Sequence, residues 1–225
     1  MIAWELIGSA PVPGAGEEMR LYRRGGEFSI RVAAGELMNS RAHGSEDALA
    51  ELACDRVAGR PGVRVLVGGL GMGFTLAALL RRIAASGRVV VAELVPEVVA
   101  WNRGPLAPLA GRPLDDPRVR VRTADVAAVI AEKRGGWDAL LLDVDNGPQG
   151  LSRQANDRIY APAGLAEARA ALRPGGVLAV WSAGPDPAFT RRLRRAGFDV
   201  RVVPVRARAG GAGGRRIIWL AAAAS

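Results

Sequence analysis

The sequence predicts an α/β fold built on an open, mostly parallel sheet of the nucleotide-binding kind. Residues 63–67 and 89–92 are short and almost wholly apolar, which is typical of parallel strands buried on both faces. Between them, residues 69–73 form a Gly-x-Gly-x-Gly turn, and residues 74–84 carry apolar side chains at helical spacing. The second strand ends on Glu93. Strand, glycine turn, helix, strand and acid together make half of a nucleotide-binding sheet.

The glycine turn and the acid each have a physical task in such a site. Gly69, Gly71 and Gly73 allow a sharp turn and let backbone N–H groups approach a ligand closely. The helix that follows presents a partially positive N-terminus. Glu93 stands where an acid can accept hydrogen bonds from both hydroxyls of a ribose. The spacing differs from the Gly-x-Gly-x-x-Gly of dinucleotide sites and is similar to the S-adenosylmethionine site of class I methyltransferases.

The rest of the chain supplies further strands and helices. Apolar runs at 119–122, 137–142 and 177–181 predict three more strands. The runs at 199–205 and 217–222 flank a glycine-rich segment, so they predict a β-hairpin and an antiparallel end to the sheet. A class I methyltransferase sheet is similar in this respect. Helices are predicted after Pro96 and at 48–57, 126–132, 162–172 (ended by residues 173–176) and 187–196. Four prolines exclude one regular helix over 104–117.

The first forty residues predict a small β appendage. Alternating runs at 19–23 and 28–32 flank Gly25-Gly26, which is a hairpin signal. We therefore divide the chain into an N-terminal β-hairpin region, 1–40, and a Rossmann-like domain, 41–225. Ser45 is the predicted N-cap of the helix that leads into the first strand of that domain.

Acidic residues follow three successive strands of the predicted sheet. Glu93, Asp125 and Asp143 each stand at the carboxyl end of a strand. In an open α/β sheet the ligand crevice lies at that edge. Helix capping or turn formation explains any one of these acids, but explains all three less well. They are the strongest indication of a functional site in the sequence.

Five motifs together resemble the spermidine synthases (polyamine aminopropyltransferases) and their methyltransferase-like relatives. They are VLVGGLGMGFTL, VVVAELVPEVV, DDPRVRVRTADV, WDALLLDVDNGP and LRPGGVLAVWS. The resemblance covers most of the chain from about residue 35 and extends to the N-terminal β appendage. It implies a class I S-adenosylmethionine-dependent, Rossmann-like fold with an antiparallel last strand.

The resemblance also implies roles for particular residues. Glu93, with Leu94 beside it, would bind the ribose, and Asp125 with Val126 would bind the adenine edge. Asp143 would lie beside the reacting centre and accept the proton of an attacking amine.

The predicted acceptor site draws on residues from several segments. Asp145 joins Asp143 as a candidate catalytic residue. The candidates for binding the acceptor are His43, Glu46, Asn146 and Tyr160.

The chain departs from the family at the positions that would bind amines. Gly71 stands where the family's glycine loop carries an Asp that holds the cofactor's amino group. Asn146 stands where a second Asp grips the polyamine, and Asp145 could compensate. The family lines its polyamine channel with a Tyr-His or Tyr-Gln doublet, and this chain has Ser45-Glu46 at about that place. These losses favour intact S-adenosylmethionine over its decarboxylated form, and therefore methyl transfer.

Composition narrows the class of protein. The 225 residues are 49% hydrophobic, so we expect a packed domain. The net charge of +9 indicates either a nucleic-acid partner or a genome-wide bias, since Lys133 is the only lysine and the arginines are scattered. We favour the bias. The net charge also disfavours a polyamine substrate. The single cysteine, Cys54, is expected in the core.

Several expectations follow for the protein in the cell. We predict a cytoplasmic enzyme with no membrane segment, no secretory signal and no metal. It would act on a small-molecule acceptor as a homodimer, as the resemblance implies. The leading hypothesis is a methyltransferase that uses S-adenosylmethionine. The alternatives are an aminopropyltransferase using decarboxylated S-adenosylmethionine, a non-catalytic nucleotide-binding homologue, and an RNA methyltransferase.

Overall fold

Two sheets and six α-helices make up the described part of the chain. The structure, a computed structural model, describes residues 2–13, 16, 18–144, 148, 158–207 and 214–223. The strands are β1 (Glu5–Pro11), β2 (Glu18–Arg24), β3 (Glu27–Val32), β4 (Gly35–Asn39), β5 (Arg64–Gly68), β6 (Arg88–Glu93), β7 (Val119–Thr123), β8 (Trp137–Leu142), β9 (Leu172–Ser182), β10 (Phe198–Arg206) and β11 (Arg215–Ala223). The helices are α1 (Gly44–Val57), α2 (Phe74–Arg82), α3 (Pro96–Arg103), α4 (Val126–Ala131), α5 (Pro162–Ala171) and α6 (Pro187–Arg195).

The larger sheet has the predicted topology. Its strand order is β10-β11-β9-β8-β5-β6-β7. The pairs β5–β6, β6–β7, β5–β8 and β8–β9 are parallel, whereas β11 pairs antiparallel with both β9 and β10. The predicted α/β class, with an antiparallel end to the sheet, is therefore confirmed. The carboxyl ends of five parallel strands share one edge.

Both faces of this sheet are buried, which explains why its central strands are so apolar. Every residue of β8 is buried. Along it, Leu141 packs on the face that carries Leu49 of α1, and Leu140 packs on the face that carries Leu165 of α5. Successive side chains of a strand point to opposite faces, so a strand covered on both sides presents nearly all of its side chains to a core. Cys54 is buried in the core on the α1 face of the sheet.

The first four strands form an antiparallel sheet in the order β1-β2-β3-β4. The predicted hairpin is its middle pair, β2 and β3. Gly8 of β1 lies so close to Trp101 of α3 that a Cβ there would be 2.7 Å from the indole Nε1. The small sheet thus contacts the larger unit directly. The division of the chain at residue 40 stays a prediction.

Two local predictions are wrong, each because a tertiary contact overrides a local signal. Helix α1 begins at Gly44 and not after Ser45, because the Gly44 backbone N–H donates to the carbonyl of Ala207, 2.9 Å away. Its N-cap is His43, and Ser45 lies within the helix. Strand β9 begins at Leu172, although residues 173–176 were expected to separate a helix from a strand.

Arg60 holds that early part of β9 in place. Its guanidinium donates to the carbonyls of Pro174 (3.3 Å) and Gly175 (2.7 Å). Gly175 takes a φ of +66°, which L side chains rarely adopt. The glycine therefore permits a turn of the backbone within the strand.

Two further predictions concern irregular and membrane structure. Residues 104–117 hold two short 3₁₀ helices, Ala107–Ala110 and Pro113–Asp115, and not one regular helix, as predicted. Among the helices of the described residues, none combines the length and apolar character required to cross a membrane.

Candidate active site

A cavity of about 270 Å³ runs along the carboxyl edge of the large sheet. The ends of β5, β6, β7, β8 and β9 line it, and β4 of the small sheet forms part of the opposite wall. Its described lining is rich in acids: Glu36, Glu46, Glu93, Asp125 and Asp143. Arg216 is the one basic side chain among the described lining residues. A cavity of this composition favours a positively charged ligand.

The glycine turn closes one side of the cavity. Gly69 (φ +85°) and Gly71 (φ +52°) both line it, and both take left-handed conformations that favour glycine. A Cβ on Gly69 would be 2.3 Å from the carbonyl oxygen of Asp143, and one on Gly71 would be 2.8 Å from the Met38 methyl carbon. Gly73 (φ +84°) is the N-cap of α2 and lies outside the lining.

A buried asparagine fixes this turn, although no pattern in the sequence indicates its role. Asn102, on α3, is 2% exposed. Its side-chain amide donates to the carbonyl of Gly71 (2.8 Å) and to that of Val98 (2.9 Å). The amide therefore replaces hydrogen bonds that the turn cannot make within itself. An isolated Asn on a helix has no distinctive spacing, so no sequence pattern could have revealed it.

Glu93 lies at the end of β6 and is 8% exposed. One carboxylate oxygen accepts from the backbone N–H of Leu70 (2.8 Å), and the other accepts from that of Val95 (2.9 Å). The carboxylate is thus tied to the glycine turn and to the start of α3, and it lines the cavity. Ribose binding by Glu93, with Leu94 beside it in the lining, stays a prediction.

The predicted adenine end of the cavity is formed where β7 passes into α4. Asp125 caps α4, since its Oδ1 accepts from the backbone N–H of Ala127 (2.8 Å). Val126 is buried and packs close to Gly68 of β5, where a Cβ would be 2.7 Å from its Cγ2. Both residues line the cavity. Capping accounts for Asp125 structurally, and its contact with adenine stays a prediction.

Asp143, which is half-buried, and Glu46, which is 7% exposed, form a pair of carboxyl groups in the cavity lining. The Thr75 hydroxyl donates to Asp143 Oδ2 (2.7 Å), and the Ser45 hydroxyl donates to Glu46 Oε2 (2.5 Å). Burial raises the pKa of Asp143 to about 6. Burial, and then the charge of Asp143, raise the pKa of Glu46 to about 7.

Neither carboxyl of this pair is in an ion pair with a cationic side chain of the described residues. A buried carboxylate without a cation is costly, because the charged form is desolvated. A cationic ligand would remove that cost. Sequence analysis named both residues separately but could not place α1 against the end of β8.

Other predicted acceptor residues lie away from the cavity. His43 stacks on Phe74, with ring centroids 4.1 Å apart, and its Nδ1 lies 2.8 Å from Asp47 Oδ2. Tyr160 is 2% exposed and packs edge-on against Phe189 in the core on the far face of the sheet. Neither lines the cavity. Asp145 and Asn146 lie outside the described residues.

Three residues of the cavity were missed by sequence analysis. Glu36 comes from the small sheet, Trp181 from the end of β9 and Arg216 from the final hairpin. Trp181 belongs to the LRPGGVLAVWS motif but was not singled out, whereas Glu36 and Arg216 belong to no motif. Only the packing of distant segments brings the three to the same cavity. Within the described residues, no three His, Cys, Asp or Glu side chains cluster in a way that could hold a metal ion.

Comparison by sequence and by structure gives different answers. By sequence, no protein-family model matches the chain, and no curated protein matches it. By structure, it is similar to a spermidine synthase from Thermotoga maritima, with a TM-score of 0.77 and 17% identity. That alignment covers 96% of this chain and 72% of the other.

The chain has the fold of a spermidine synthase. It is also similar to a spermidine synthase in complex with the transition state analogue AdoDATO (TM-score 0.75, 18% identity, 96% of this chain and 72% of that chain). A probable spermidine synthase from Corynebacterium glutamicum ATCC 13032 matches as well (TM-score 0.68, 14% identity, 97% of this chain and 80% of that chain). The predicted resemblance is confirmed for the fold, including its N-terminal β sheet.

Proposed function

We propose that this chain is a transferase that moves the aminopropyl group of decarboxylated S-adenosylmethionine to an amine acceptor. The observation that carries the proposal is the composition of the cavity, with five carboxyl side chains and one arginine among its described lining residues. Decarboxylated S-adenosylmethionine carries a sulfonium and an ammonium group and no carboxylate. A dication of this kind is electrostatically better matched to the cavity than intact S-adenosylmethionine, whose carboxylate the acids would repel.

Glu36 offers a partner for the ammonium group of that cofactor. It lies two residues before Met38 in β4, and Met38 lies over Gly71. Its carboxylate accepts from Ser29 Oγ (2.8 Å) and from Asn39 Nδ2 (2.6 Å), so it is held in place at the cavity wall. Glu36 thus offers, from the opposite wall, the carboxylate that the glycine turn lacks at Gly71.

The chemistry requires little beyond orientation and one proton acceptor. A neutral amine attacks the aminopropyl carbon that is bonded to sulfur. The carbon–sulfur bond breaks, its electron pair passes to sulfur, and neutral methylthioadenosine leaves. The Asp143 carboxylate takes the proton that the new ammonium group loses. The sulfur loses its positive charge during the reaction, so tight electrostatic binding of the cation does not by itself favour the transfer. The cavity must therefore rely mainly on alignment of the reacting atoms.

Methyl transfer from intact S-adenosylmethionine is the second candidate, and Gly71 favours it. With no acid in the glycine turn, nothing on that segment binds the cofactor's ammonium group or repels its carboxylate. We give it second place because both the acidic cavity and the fold agree better with aminopropyl transfer. A small-molecule acceptor, a cytoplasmic location and a homodimer stay predictions.

Product analysis separates the two reactions. The protein is incubated with a mixture of amines and either form of the cofactor, and nucleoside products are identified by mass spectrometry. Aminopropyl transfer yields methylthioadenosine from the decarboxylated cofactor, and methyl transfer yields S-adenosylhomocysteine from the intact one. Formation of S-adenosylhomocysteine alone would replace the proposal by its alternative. Formation of neither would leave a binding protein with this fold.

A further inference from the structure

The end of the cavity at β9 and β11 differs chemically from the rest. Trp181 near the end of β9 and Arg216 near the start of β11 both line it. The guanidinium carbon of Arg216 lies 5.8 Å from the centroid of the Trp181 ring. Apart from this ring contact, Arg216 has no ion pair or hydrogen bond with the described residues. An acidic cavity therefore has one positively charged end.

Two donor side chains at this end lack acceptors among the described residues. Trp181 is 9% exposed, and its buried indole Nε1 has no acceptor in the part of the chain that the structure describes. Buried indole N–H groups usually find a partner, so an unpaired one calls for an explanation. The guanidinium of Arg216 presents five more donors in a fixed fork that suits carboxylate and phosphate groups. An anionic group at this end would offer acceptors to both side chains.

The separation between Arg216 and the carboxyl pair of Asp143 and Glu46 suggests a ligand whose two ends differ chemically. Asp143 follows β8, and Arg216 lies on β11, with β9 between the two strands. Since neighbouring strands are about 4.8 Å apart, the two positions are on the order of 10 Å apart. Their side chains project into the cavity between them. A short molecule can therefore contact both.

We propose that the acceptor is an amine that carries an anionic group, a carboxylate or a phosphate, at its other end. This rests on the proposed transferase function. The amine lies at Asp143 and Glu46, and the anionic group pairs with Arg216. A diamine fits less well, because Arg216 repels its second ammonium group. An acceptor of about three to five methylene groups matches the span.

Arg215 provides a matched control for Arg216. It is the preceding residue of β11, and successive side chains of a strand point to opposite sides. Arg215 is exposed and lies outside the cavity lining. Arg215→Gln and Arg216→Gln therefore remove the same charge from the same strand, but only the second removes it from the cavity.

The test compares acceptors of equal length on the full chain with decarboxylated S-adenosylmethionine. The probes are 4-aminobutyrate, 3-aminopropylphosphonate and putrescine, and the readout is kcat/KM for methylthioadenosine release. We expect the wild type to prefer one of the two anionic amines to putrescine. In Arg216→Gln, that preference should fall about 30-fold or more, whereas Arg215→Gln should keep it. The better of the two anionic probes identifies carboxylate or phosphate as the anion.

A second readout judges the inference even if no turnover occurs. Thermal shift and calorimetry measure binding of the same three probes to the wild type and both variants. Binding of an anionic amine that Arg216→Gln loses and Arg215→Gln retains supports the inference. Preference for putrescine, or equal behaviour of the two variants, overturns it while leaving aminopropyl transfer intact. Failure to bind or use the cofactor with every amine instead overturns the proposed function.

Discussion

Strand β8 has a buried aspartate at its N-terminal end and a half-buried one just beyond its C-terminal end, and their environments are opposite. Asp138, at the N-terminal end, is 1% exposed and contacts Arg60 Nη1 (2.9 Å), Arg173 Nη1 (3.0 Å) and the backbone N–H of Arg64 (2.8 Å). Asp143, just beyond the C-terminal end, has only a hydroxyl donor, that of Thr75, among the described residues, and burial raises its pKa. The first is a satisfied ion pair; the second has capacity for a cationic ligand.

The two edges of the large sheet also differ in the charge of the cavities that they form. A second cavity, of about 470 Å³, lies at the N-terminal edge and is lined by five cationic side chains: Arg64, Arg88, Arg118, Arg120 and Lys133. No acid is among its described lining residues. The net charge of +9 therefore says little about the cavity at the opposite edge. The net charge was taken above to disfavour a polyamine substrate. The local charge of the cavity is the opposite, so the net charge does not exclude such a substrate.

The largest effect expected is on turnover in Asp143→Asn. If Asp143 takes the proton of the amine, the rate of methylthioadenosine release should fall about 10²- to 10⁴-fold. Stability at pH 8 should not fall, because the substitution removes a desolvated charge. Rates and urea unfolding curves of the two proteins measure both. A variant with wild-type turnover would remove Asp143 from the mechanism.

Asp138→Ala should show the reverse pattern. It leaves Arg60 and Arg173 without their shared carboxylate, so we expect the free energy of unfolding to fall by about 3 kcal/mol. Urea unfolding measures the loss. Asp55→Ala is the control, since Asp55 pairs with Arg82 at the surface and should cost less than about 1 kcal/mol. Equal losses in the two variants would contradict the structural role of Asp138.

Glu46→Gln should stabilise the protein in a pH-dependent way. The folded chain holds the Glu46 proton more tightly than the unfolded chain does, because its pKa rises from 4.5 to about 7. The wild type therefore loses stability from this group as pH rises through that range. We expect Glu46→Gln to be more stable by about 3 kcal/mol at pH 8 and nearly equal to wild type at pH 4.

Unfolding in urea at several pH values tests this difference. Glu51→Gln, at an exposed position of the same helix, is the control and should show no comparable trend. A gap between Glu46→Gln and wild type that stays constant with pH would mean that burial does not perturb this carboxyl group.

The smallest effect is expected for Thr75→Val, which removes the hydroxyl that donates to Asp143. This hydrogen bond lowers the pKa of the aspartate against the effect of burial. Without it, the acid limb of the pH–rate profile should move up by about 0.5–1 pH unit, with little change at high pH. A profile that does not move would show that the limb reports another group.

The sequence was informative where a local pattern and the fold agree. The glycine turn, the apolar strands and Glu93 at the end of β6 all follow from periodicity and from the geometry of a parallel sheet. Those patterns are local, and burial on both faces makes them strong. The predicted fold class is accordingly confirmed.

What the sequence could not provide is the set of contacts between distant segments. Glu46 meets Asp143 because α1 packs against the end of β8, and Glu36 reaches the cavity only through the small sheet. Arg216 arrives through the hairpin of β10 and β11. Conversely, His43 and Tyr160 were predicted to bind the acceptor but pack against aromatic neighbours and do not line the cavity. Side-chain chemistry alone does not distinguish these cases.

Calorimetric binding of three nucleosides at pH 8 tests the central claim most directly. The ligands are S-adenosylmethionine, its decarboxylated form and methylthioadenosine. The first two differ by a carboxylate, and the third is neutral and lacks the amino chain. An acidic cavity that recognises a dication predicts that the decarboxylated form binds at least about tenfold more tightly than the other two. Tighter binding of intact S-adenosylmethionine, or binding of none of the three, would contradict it.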